Sequence, residues 1–243
     1  MLLSVSNLTV SYGQSVALNA INFEAHTSEV IGIIGPNGSG KTTLFNALLA
    51  LCPYAGEMQL DGKKLSTQLS RTSYMPQVGQ IDISFPVTVY DVIKLGLASQ
   101  RSIQSLATVL KRLKLEELRE KILTELSGGQ LQRVFLARAL ARGGDVVLLD
   151  EPTNHVDAPS EKVIADVIQD LRKENRIILL STHSIEFASR VCSKLLLLRN
   201  NVVAFGTVEK VCTPELLAET FGTEVVFNLA KGGYVITEEH HDC

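Results

Sequence analysis

The chain has little of what marks a secreted or membrane-spanning protein. Its four cysteines, Cys52, Cys192, Cys212 and Cys243, are widely spaced and form no C-x-x-C pair, which favours reduced thiols over a disulfide framework. No stretch approaches the ~20 apolar residues that a membrane-spanning helix needs, and the first residues lack the basic and apolar segments of a signal peptide. We therefore expect a chain that is neither exported nor embedded in a membrane.

An excess of positive charge is also missing. The chain has 23 Lys and Arg against 26 Asp and Glu, which gives a net charge of −3. Proteins that bind nucleic acid by neutralising its phosphates usually need the opposite balance, so we expect no nucleic-acid partner. The 243 residues, 45% of them hydrophobic, are enough for a large core in one domain or two small ones.

What the sequence does contain is a phosphate-binding loop. Residues 35–42 read G-P-N-G-S-G-K-T, which fits the pattern G-x-x-x-x-G-K-[ST]. The glycines let backbone N–H groups close around a polyphosphate, Lys41 places a positive charge at the outer phosphates, and Thr42 offers a hydroxyl to Mg²⁺ at the start of a helix. The predicted nucleotide-binding residues are Gly35, Pro36, Asn37, Gly38, Ser39, Gly40, Lys41, Thr42 and Thr43.

The order of apolar segments predicts an α/β fold. Short β-like stretches before residue 30 predict an antiparallel start. From the phosphate loop onward, apolar strands alternate with helices, which is typical of a mostly parallel sheet flanked by helices. The predicted strands cover residues 30–34, 72–76, 146–150, 177–181 and 195–199.

Residues 87–142 interrupt this alternation. No buried strand is predicted there, and the apolar spacing instead predicts amphipathic helices over residues 89–97, 103–113, 115–122 and 130–142. We therefore predict one domain spanning residues 1–243. Its α/β core, with the antiparallel part, would comprise residues 1–86 and 143–243, and residues 87–142 would form a helical insertion.

Two adjacent carboxylates end one of the predicted strands. Asp150 and Glu151 follow the apolar run of residues 146–149. A strand-end aspartate beside a phosphate loop can hold Mg²⁺, often through water, and the next carboxylate can activate a water for attack on a γ-phosphate. We predict Asp150 as a metal ligand and Glu151 as the general base.

A second glycine-rich helix start precedes that strand. Residues 126–130 read L-S-G-G-Q and lead directly into a predicted helix. Such a helix N-terminus is a ready phosphate site. One ATP does not easily need two such cradles from one chain, so this loop is either only a helix start or meets the nucleotide of another subunit.

With these motifs in this order, the sequence resembles the ATP-binding cassette (ABC) ATPases over nearly its whole length, and residues 126–130 match the signature motif of that family. The resemblance implies that Tyr12 stacks on adenine. It implies that Gln77, in the Q-loop, contacts Mg²⁺ and the attacking water. It also identifies Asp157 with the D-loop and His183 with the switch histidine that contacts the γ-phosphate. Val156 and Ser184 replace the leucine and aspartate usual at their positions.

The resemblance further implies an assembly. A chain with one phosphate loop would form a head-to-tail homodimer around two ATP molecules. In that dimer Ser127, Gly128, Gly129 and Gln130 of one subunit would close over the ATP bound at Lys41 of the other. ATP and Mg²⁺ are the implied ligands, and hydrolysis would open the dimer again.

A partner and a place in the cell follow from the same resemblance. A cassette without membrane helices points to a multisubunit transporter, commonly a bacterial importer, with the cassette at the cytoplasmic face of the membrane. Residues 82–93 and 213–222 look like cassettes of the zinc, manganese and iron uptake type. The permease would dock near residues 77–91, with Phe85 and Pro86 as candidate contacts, unless these two residues only pack the insertion. A solute-binding protein would act only indirectly.

Two other functions stay open. A soluble ABC ATPase that acts on ribosomes is suggested by residues 153–155, although members of that group usually carry two cassettes and a linker. An ATP-binding subunit without turnover is disfavoured by the presence of Lys41, Asp150, Glu151 and His183. The final residues 240–243 read H-H-D-C and could bind zinc or be accidental.

Overall fold

A computed structural model describes residues 1–80, 83–97, 103–222, 225–228 and 233–236. The metal-binding alternative for residues 240–243 falls outside these ranges. The strands are β1 (Leu2–Tyr12), β2 (Ser15–His26), β3 (Val30–Ile34), β4 (Ala55–Leu60), β5 (Lys63–Lys64), β6 (Thr72–Met75), β7 (Val146–Asp150), β8 (Ile177–Thr182), β9 (Lys194–Arg199), β10 (Asn201–Thr207), β11 (Val225–Asn228) and β12 (Gly233–Ile236). The α-helices are α1 (Lys41–Leu48), α2 (Val89–Lys94), α3 (Ile103–Arg112), α4 (Gly128–Arg142), α5 (Ala158–Lys173), α6 (Ile185–Val191), α7 (Val208–Val211) and α8 (Pro214–Phe221).

The chain divides into two compact units, and the first comprises Met1–Gln68 and Ser181–Cys243. It holds an antiparallel sheet in the order β2-β1-β4-β5. It also holds a second set of strands, in which β3 pairs in parallel with β9 and β9 pairs antiparallel with β10. All five residues of β3 are buried, as expected for a parallel strand covered on both faces. This strand leads into the phosphate loop.

The second unit comprises Leu69–Leu180. Its strands lie in the order β8-β7-β6, and β6 pairs in parallel with β7. Every residue of β7 is buried, up to and including its last residue, Asp150. The helices α2 to α5 belong to this unit, and the apolar faces of α4 and α5 are buried. The carboxyl end of β7 thus places Asp150 and Glu151 at the edge of a packed core.

All the predicted strands and all but one of the predicted helices are present in the structure. Strands β3 and β7 have the predicted bounds, and the other three predicted strands differ by one residue at an end. The helix predicted over residues 115–122 is wrong, because this segment forms only a short 3₁₀ turn over Glu116–Leu118. Its backbone carbonyls instead accept from the start of α2, where Val89 N–H donates to Lys121 O at 2.9 Å and Tyr90 N–H to Arg119 O at 2.9 Å. These tertiary bonds replace the helical ones.

Three helices have other bounds than predicted. Helix α3 ends at Arg112 rather than at residue 113. Helix α2 ends at Lys94 rather than at residue 97. Helix α4 begins at Gly128, two residues before the predicted start, because Ser127 caps it. None of the helices in the described ranges has the length and apolarity that crossing a membrane requires. The boundaries predicted for the helical insertion, residues 87 and 142, stay a prediction.

Candidate active site

The phosphate loop lies in the first unit, between β3 and α1. Gly38 and Gly40 have φ angles of 80° and 102°, in the left-handed region that residues with a side chain rarely adopt. Gly35 has a different constraint, since a Cβ atom there would overlap the carbonyl oxygen of Leu198 and Ser39 Oγ. The glycines therefore give the loop its path, and Gly40 caps the helix that follows.

Lys41 is the first residue of α1 and is only 6% exposed. Its Nζ donates to the carbonyl oxygens of Gly35 and Pro36, both at 2.8 Å. These bonds hold the ammonium group against the loop whose backbone would surround a phosphate chain. Thr42 and Thr43 follow in the first turn and are half-buried. The geometry of this loop suits an anionic phosphate ligand.

Two further predicted site residues of the first unit lie at strand ends. Tyr12 is the last residue of β1 and is 50% exposed, so its ring is accessible for stacking. His183 follows β8 and is also exposed. The next residue, Ser184, caps α6, because its Oγ accepts from Phe187 N–H at 3.1 Å. Serine and aspartate are both good N-caps, so the departure at Ser184 preserves the local hydrogen bonding.

In the second unit, β7 presents Asp150 at its end with 1% of its surface exposed. The hydroxyl of Tyr74, in β6, donates to Asp150 Oδ2 across 3.5 Å. Burial raises the pKa of Tyr74, and the negative charge of Asp150 raises this pKa further. The phenol therefore stays protonated at neutral pH and remains a donor toward the carboxylate.

Glu151 carries the second carboxylate, and two side-chain amides bind it. Its Oε2 accepts from Gln77 Nε2 at 3.1 Å and from Asn154 Nδ2 at 2.9 Å. Its backbone has φ 47°, which is uncommon for a residue other than glycine and marks strain at functional sites. The structure thus brings together the two residues predicted as general base and Q-loop glutamine.

The signature loop is a fully formed helix start. Ser127 Oγ accepts from Gln130 N–H at 3.3 Å, and Gln130 Oε1 accepts from Ser127 N–H at 2.9 Å. This is a capping box, which satisfies two donors of the helix end reciprocally. Ser127 and Gly128 are exposed, whereas Gly129 is buried. Residues 127–130 therefore do start a helix, and the exposed residues Ser127 and Gly128 remain accessible to a ligand.

The two signature glycines have different surroundings. A Cβ atom at Gly129 would overlap Asp157 Oδ1 and would lie 2.6 Å from Ser160 Oγ. At Gly128 the nearest atom would be the carbonyl oxygen of His155 at 3.5 Å, an ordinary contact. Gly129 is thus needed where the start of α4 meets Asp157, the residue predicted for the D-loop, and Gly128 is not needed for packing within the chain.

We expect Gly129→Ala to destabilise the protein by about 1–3 kcal/mol, because the added methyl group overpacks a filled site. The melting temperature should fall by several degrees in a calorimetric scan. Gly128→Ala is the matched control, and it should hold or raise the melting temperature, since alanine favours the helix. Equal losses of melting temperature in both variants would contradict the conclusion that only Gly129 is needed for packing.

Sequence reasoning missed three residues that contact the predicted ones. Tyr74 was expected only as part of a strand, and Asn154 only as part of the D-loop. The side chain of Gln132, in α4, donates to the backbone oxygens of Glu151 and Asn154 at 3.5 and 3.3 Å. The position of Asn154 three residues after Glu151, in a turn, is a usable sequence signal. For Gln132 and Tyr74 the sequence offers none, since both contacts are long-range.

The described residues hold no cluster of three or more His, Cys, Asp or Glu side chains that could bind a metal ion alone. The predicted Mg²⁺ ligands, Thr42, Gln77 and Asp150, instead offer a hydroxyl, an amide oxygen and a carboxylate. Mg²⁺ prefers oxygen donors and is usually held by one or two carboxylates together with substrate phosphates. Each of these donor types therefore suits an ion that arrives with a nucleotide.

These features define a P-loop nucleotide-binding cassette. The family model of ABC transporters matches residues 18–154, and the chain belongs to this family, as an ATP-hydrolysing subunit. A manganese transport system ATP-binding protein from Halalkalibacterium halodurans is 37% identical over 226 residues, which cover 89% of this chain and 90% of that protein. A chelated iron transport system membrane protein from Yersinia pestis is 36% identical over 90% of this chain and 79% of its own length.

The fold comparison agrees. The structure of an inward-facing ABC transporter of the metal-chelate type has a TM-score of 0.82 at 25% identity, with 98% of each chain covered. The predicted fold class, an α/β P-loop ATPase core with an antiparallel β part and inserted helices, is confirmed. ABC subunits of this kind work with membrane permease components and dimerise.

Proposed function

We propose that this chain is the ATP-hydrolysing subunit of a bacterial metal-ion importer, with manganese or iron as the favoured cargo and zinc as the alternative. The observation that carries this proposal is the similarity, over nine-tenths of both chains, to an ATP-binding protein named for manganese transport. A second relative is named for chelated iron. The cargo would contact the permease and the solute-binding protein, while this chain supplies the energy at the cytoplasmic face of the membrane.

The proposed chemistry is hydrolysis of the γ-phosphate of ATP. The backbone of residues 35–40 and the ammonium of Lys41 bind the phosphates, Tyr12 stacks on the adenine, and His183 contacts the γ-phosphate. Glu151 accepts a proton from the water that attacks the γ-phosphorus, and the bond to the β–γ bridging oxygen breaks to leave ADP. Bound Mg²⁺, held by Thr42, Asp150 and Gln77, would neutralise the negative charge that develops on the phosphate oxygens.

The signature loop supports a homodimer in which each ATP is shared by two subunits. Gly128 is exposed, sits at the start of a helix and has open space around its Cβ position. A glycine there costs helix stability relative to alanine, so its own chain gives no reason for it. Close approach of a ligand from outside is such a reason, and the exposed N-terminal end of the helix favours an anion. We propose that Ser127, Gly128, Gly129 and Gln130 contact the ATP bound by the partner subunit. Asp157 would pack against Gly129 on the side away from that ATP.

The permease is proposed to dock on residues 77–91, of which residues 81 and 82 lie outside the described ranges. Phe85 is 71% exposed, and Pro86 beside it is exposed as well. The segment just after them is anchored, because Leu123 N–H donates to Val87 O at 3.1 Å and Thr88 caps α2. A large apolar side chain on a fixed segment is suited to contact another protein. The high exposure disfavours the alternative that Phe85 packs the insertion.

The test is to isolate the tagged chain from native membrane extract and identify its partners. We expect a polytopic permease and a metal-binding lipoprotein to accompany the wild-type chain. Phe85→Asp should lose at least about 90% of the permease, because a charge would be buried in the interface, while ATP binding serves as the folding check. Uptake of radioactive manganese, iron and zinc by vesicles that contain the complex then identifies the cargo.

Other outcomes have equally clear meanings. Ribosomes in place of a permease would favour the soluble ABC ATPase and would remove the metal cargo from the proposal. Full retention of the permease by Phe85→Asp would leave the importer standing and would move the docking surface elsewhere.

A further inference from the structure

A buried glutamine joins the signature helix to the turn that carries the catalytic carboxylate. Gln132 lies in α4, five residues after Ser127, and is 5% exposed. Its Nε2 donates to the carbonyl oxygens of Asn154 at 3.3 Å and Glu151 at 3.5 Å. These two carbonyls bound one turn, since Asn154 N–H also donates to Glu151 O at 3.2 Å. One amide therefore holds both ends of the turn.

The turn needs such support. Glu151 has φ 47° and His155 has φ 55°, so two residues with side chains adopt the left-handed region within five positions. Strained backbone of this kind persists only where the surroundings determine it. Gln132 reaches this turn from an α-helix of fifteen residues, which is a rigid support.

Stability alone does not explain a glutamine at this position. Among the described side chains, Gln132 Oε1 is one of the few buried polar atoms without a hydrogen-bond partner. A buried acceptor that lacks a partner is unfavourable, and an apolar side chain of the same shape avoids this cost. The donor end of the amide, rather than a gain in stability, is therefore the reason for glutamine at this position.

The turn of residues 151–154 also orients the side-chain carboxylate of Glu151. Asn154 Nδ2 donates to Glu151 Oε2 at 2.9 Å, and both residues belong to the turn that Gln132 holds. We propose that Gln132 is a positioning residue for ATP hydrolysis, which fixes the Glu151–Asn154 turn and so the direction of the Glu151 carboxylate. This inference rests on the proposed role of Glu151 as general base. Because α4 begins at the signature loop, Gln132 also links that loop to the base.

The test is Gln132→Met, which keeps the length of the side chain and removes both the donor and the acceptor of its amide. We expect kcat for ATP hydrolysis to fall roughly 10- to 100-fold, the effect of a small misplacement of a reacting group. KM for ATP and the melting temperature should stay close to those of the wild type. Gln132→Leu provides a second apolar variant with a different shape. Gln68→Met is the matched control, since Gln68 Nε2 also donates to two backbone carbonyls, of Leu60 at 2.8 Å and Lys63 at 3.4 Å.

The route through Asn154 is tested by combining Gln132→Met with Asn154→Ala. If both act on the same carboxylate, the double variant should lose far less than the product of the two single losses. Unchanged kcat in both Gln132 variants overturns the proposal. So does a loss of kcat that disappears once the rate is expressed per folded molecule. A Glu151→Gln variant that hydrolyses ATP normally would instead overturn the proposed base, so the two failures are distinguishable.

Discussion

Glu151→Gln should lower the rate of ATP hydrolysis by roughly 10²- to 10⁴-fold, the usual contribution of a general base, while ATP binding is preserved. Glutamine has the same shape as glutamate but cannot take a proton from water at neutral pH. The two donors on Glu151 Oε2, from Gln77 and Asn154, can bind the amide oxygen of the new side chain equally well. Phosphate release and equilibrium ATP binding, measured on the same preparation, separate chemistry from affinity.

The same variant tests the dimer. Because hydrolysis would open the assembly, blocked hydrolysis should let the ATP-bound dimer accumulate with Mg²⁺, visible as a doubled mass by light scattering. Wild-type protein with ADP is the control and should stay monomeric. Hydrolysis at the normal rate in Glu151→Gln would refute the assigned base. A strictly monomeric variant, at high concentration and also beside the permease, would refute the shared site.

The sequence was most informative where local constraints dominate. A parallel strand that is covered on both faces is a continuous apolar run, which is why β3 and β7 were predicted with their observed bounds. The phosphate loop was predictable for a related reason, since its glycines at positions 38 and 40 are required by backbone angles. Asp150 and Glu151 followed from β7, because a strand end fixes where the next side chains stand.

Contacts between distant segments were not predictable. Residues 115–122 have helical spacing, yet their backbone carbonyls accept from the N–H groups at the start of α2. No local sequence pattern predicts that these tertiary hydrogen bonds replace helical ones. Gln132 and Glu151 are nineteen positions apart and meet only because α4 packs beside the end of β7. The fold and the class of ligand could therefore be predicted from the sequence. The contacts that hold the Glu151 carboxylate in place are visible only in the structure.

The second large effect is expected at Lys41. Lys41→Ala should weaken ATP binding about 10- to 100-fold, because a charge-assisted hydrogen bond to phosphate is worth about 1.5–3 kcal/mol. Hydrolysis at cellular ATP concentrations would fall with it. Equilibrium titration with ATP and Mg²⁺ measures the loss, and ADP titration should show a smaller one if Lys41 acts on the outer phosphates. Equal ATP affinity in Lys41→Ala and wild type would contradict the assigned site.

Lys41→Arg separates the charge of this residue from its shape. Lys41 is 6% exposed, and its ammonium group donates to the carbonyl oxygens of Gly35 and Pro36, both at 2.8 Å. A planar guanidinium keeps the charge but is larger and fixes its donors in one plane. We therefore expect Lys41→Arg to bind ATP little better than Lys41→Ala, with a melting temperature near that of the wild type as the folding control. Recovery of wild-type affinity would mean that the loop needs only a positive charge, and that the two carbonyl contacts do not select lysine.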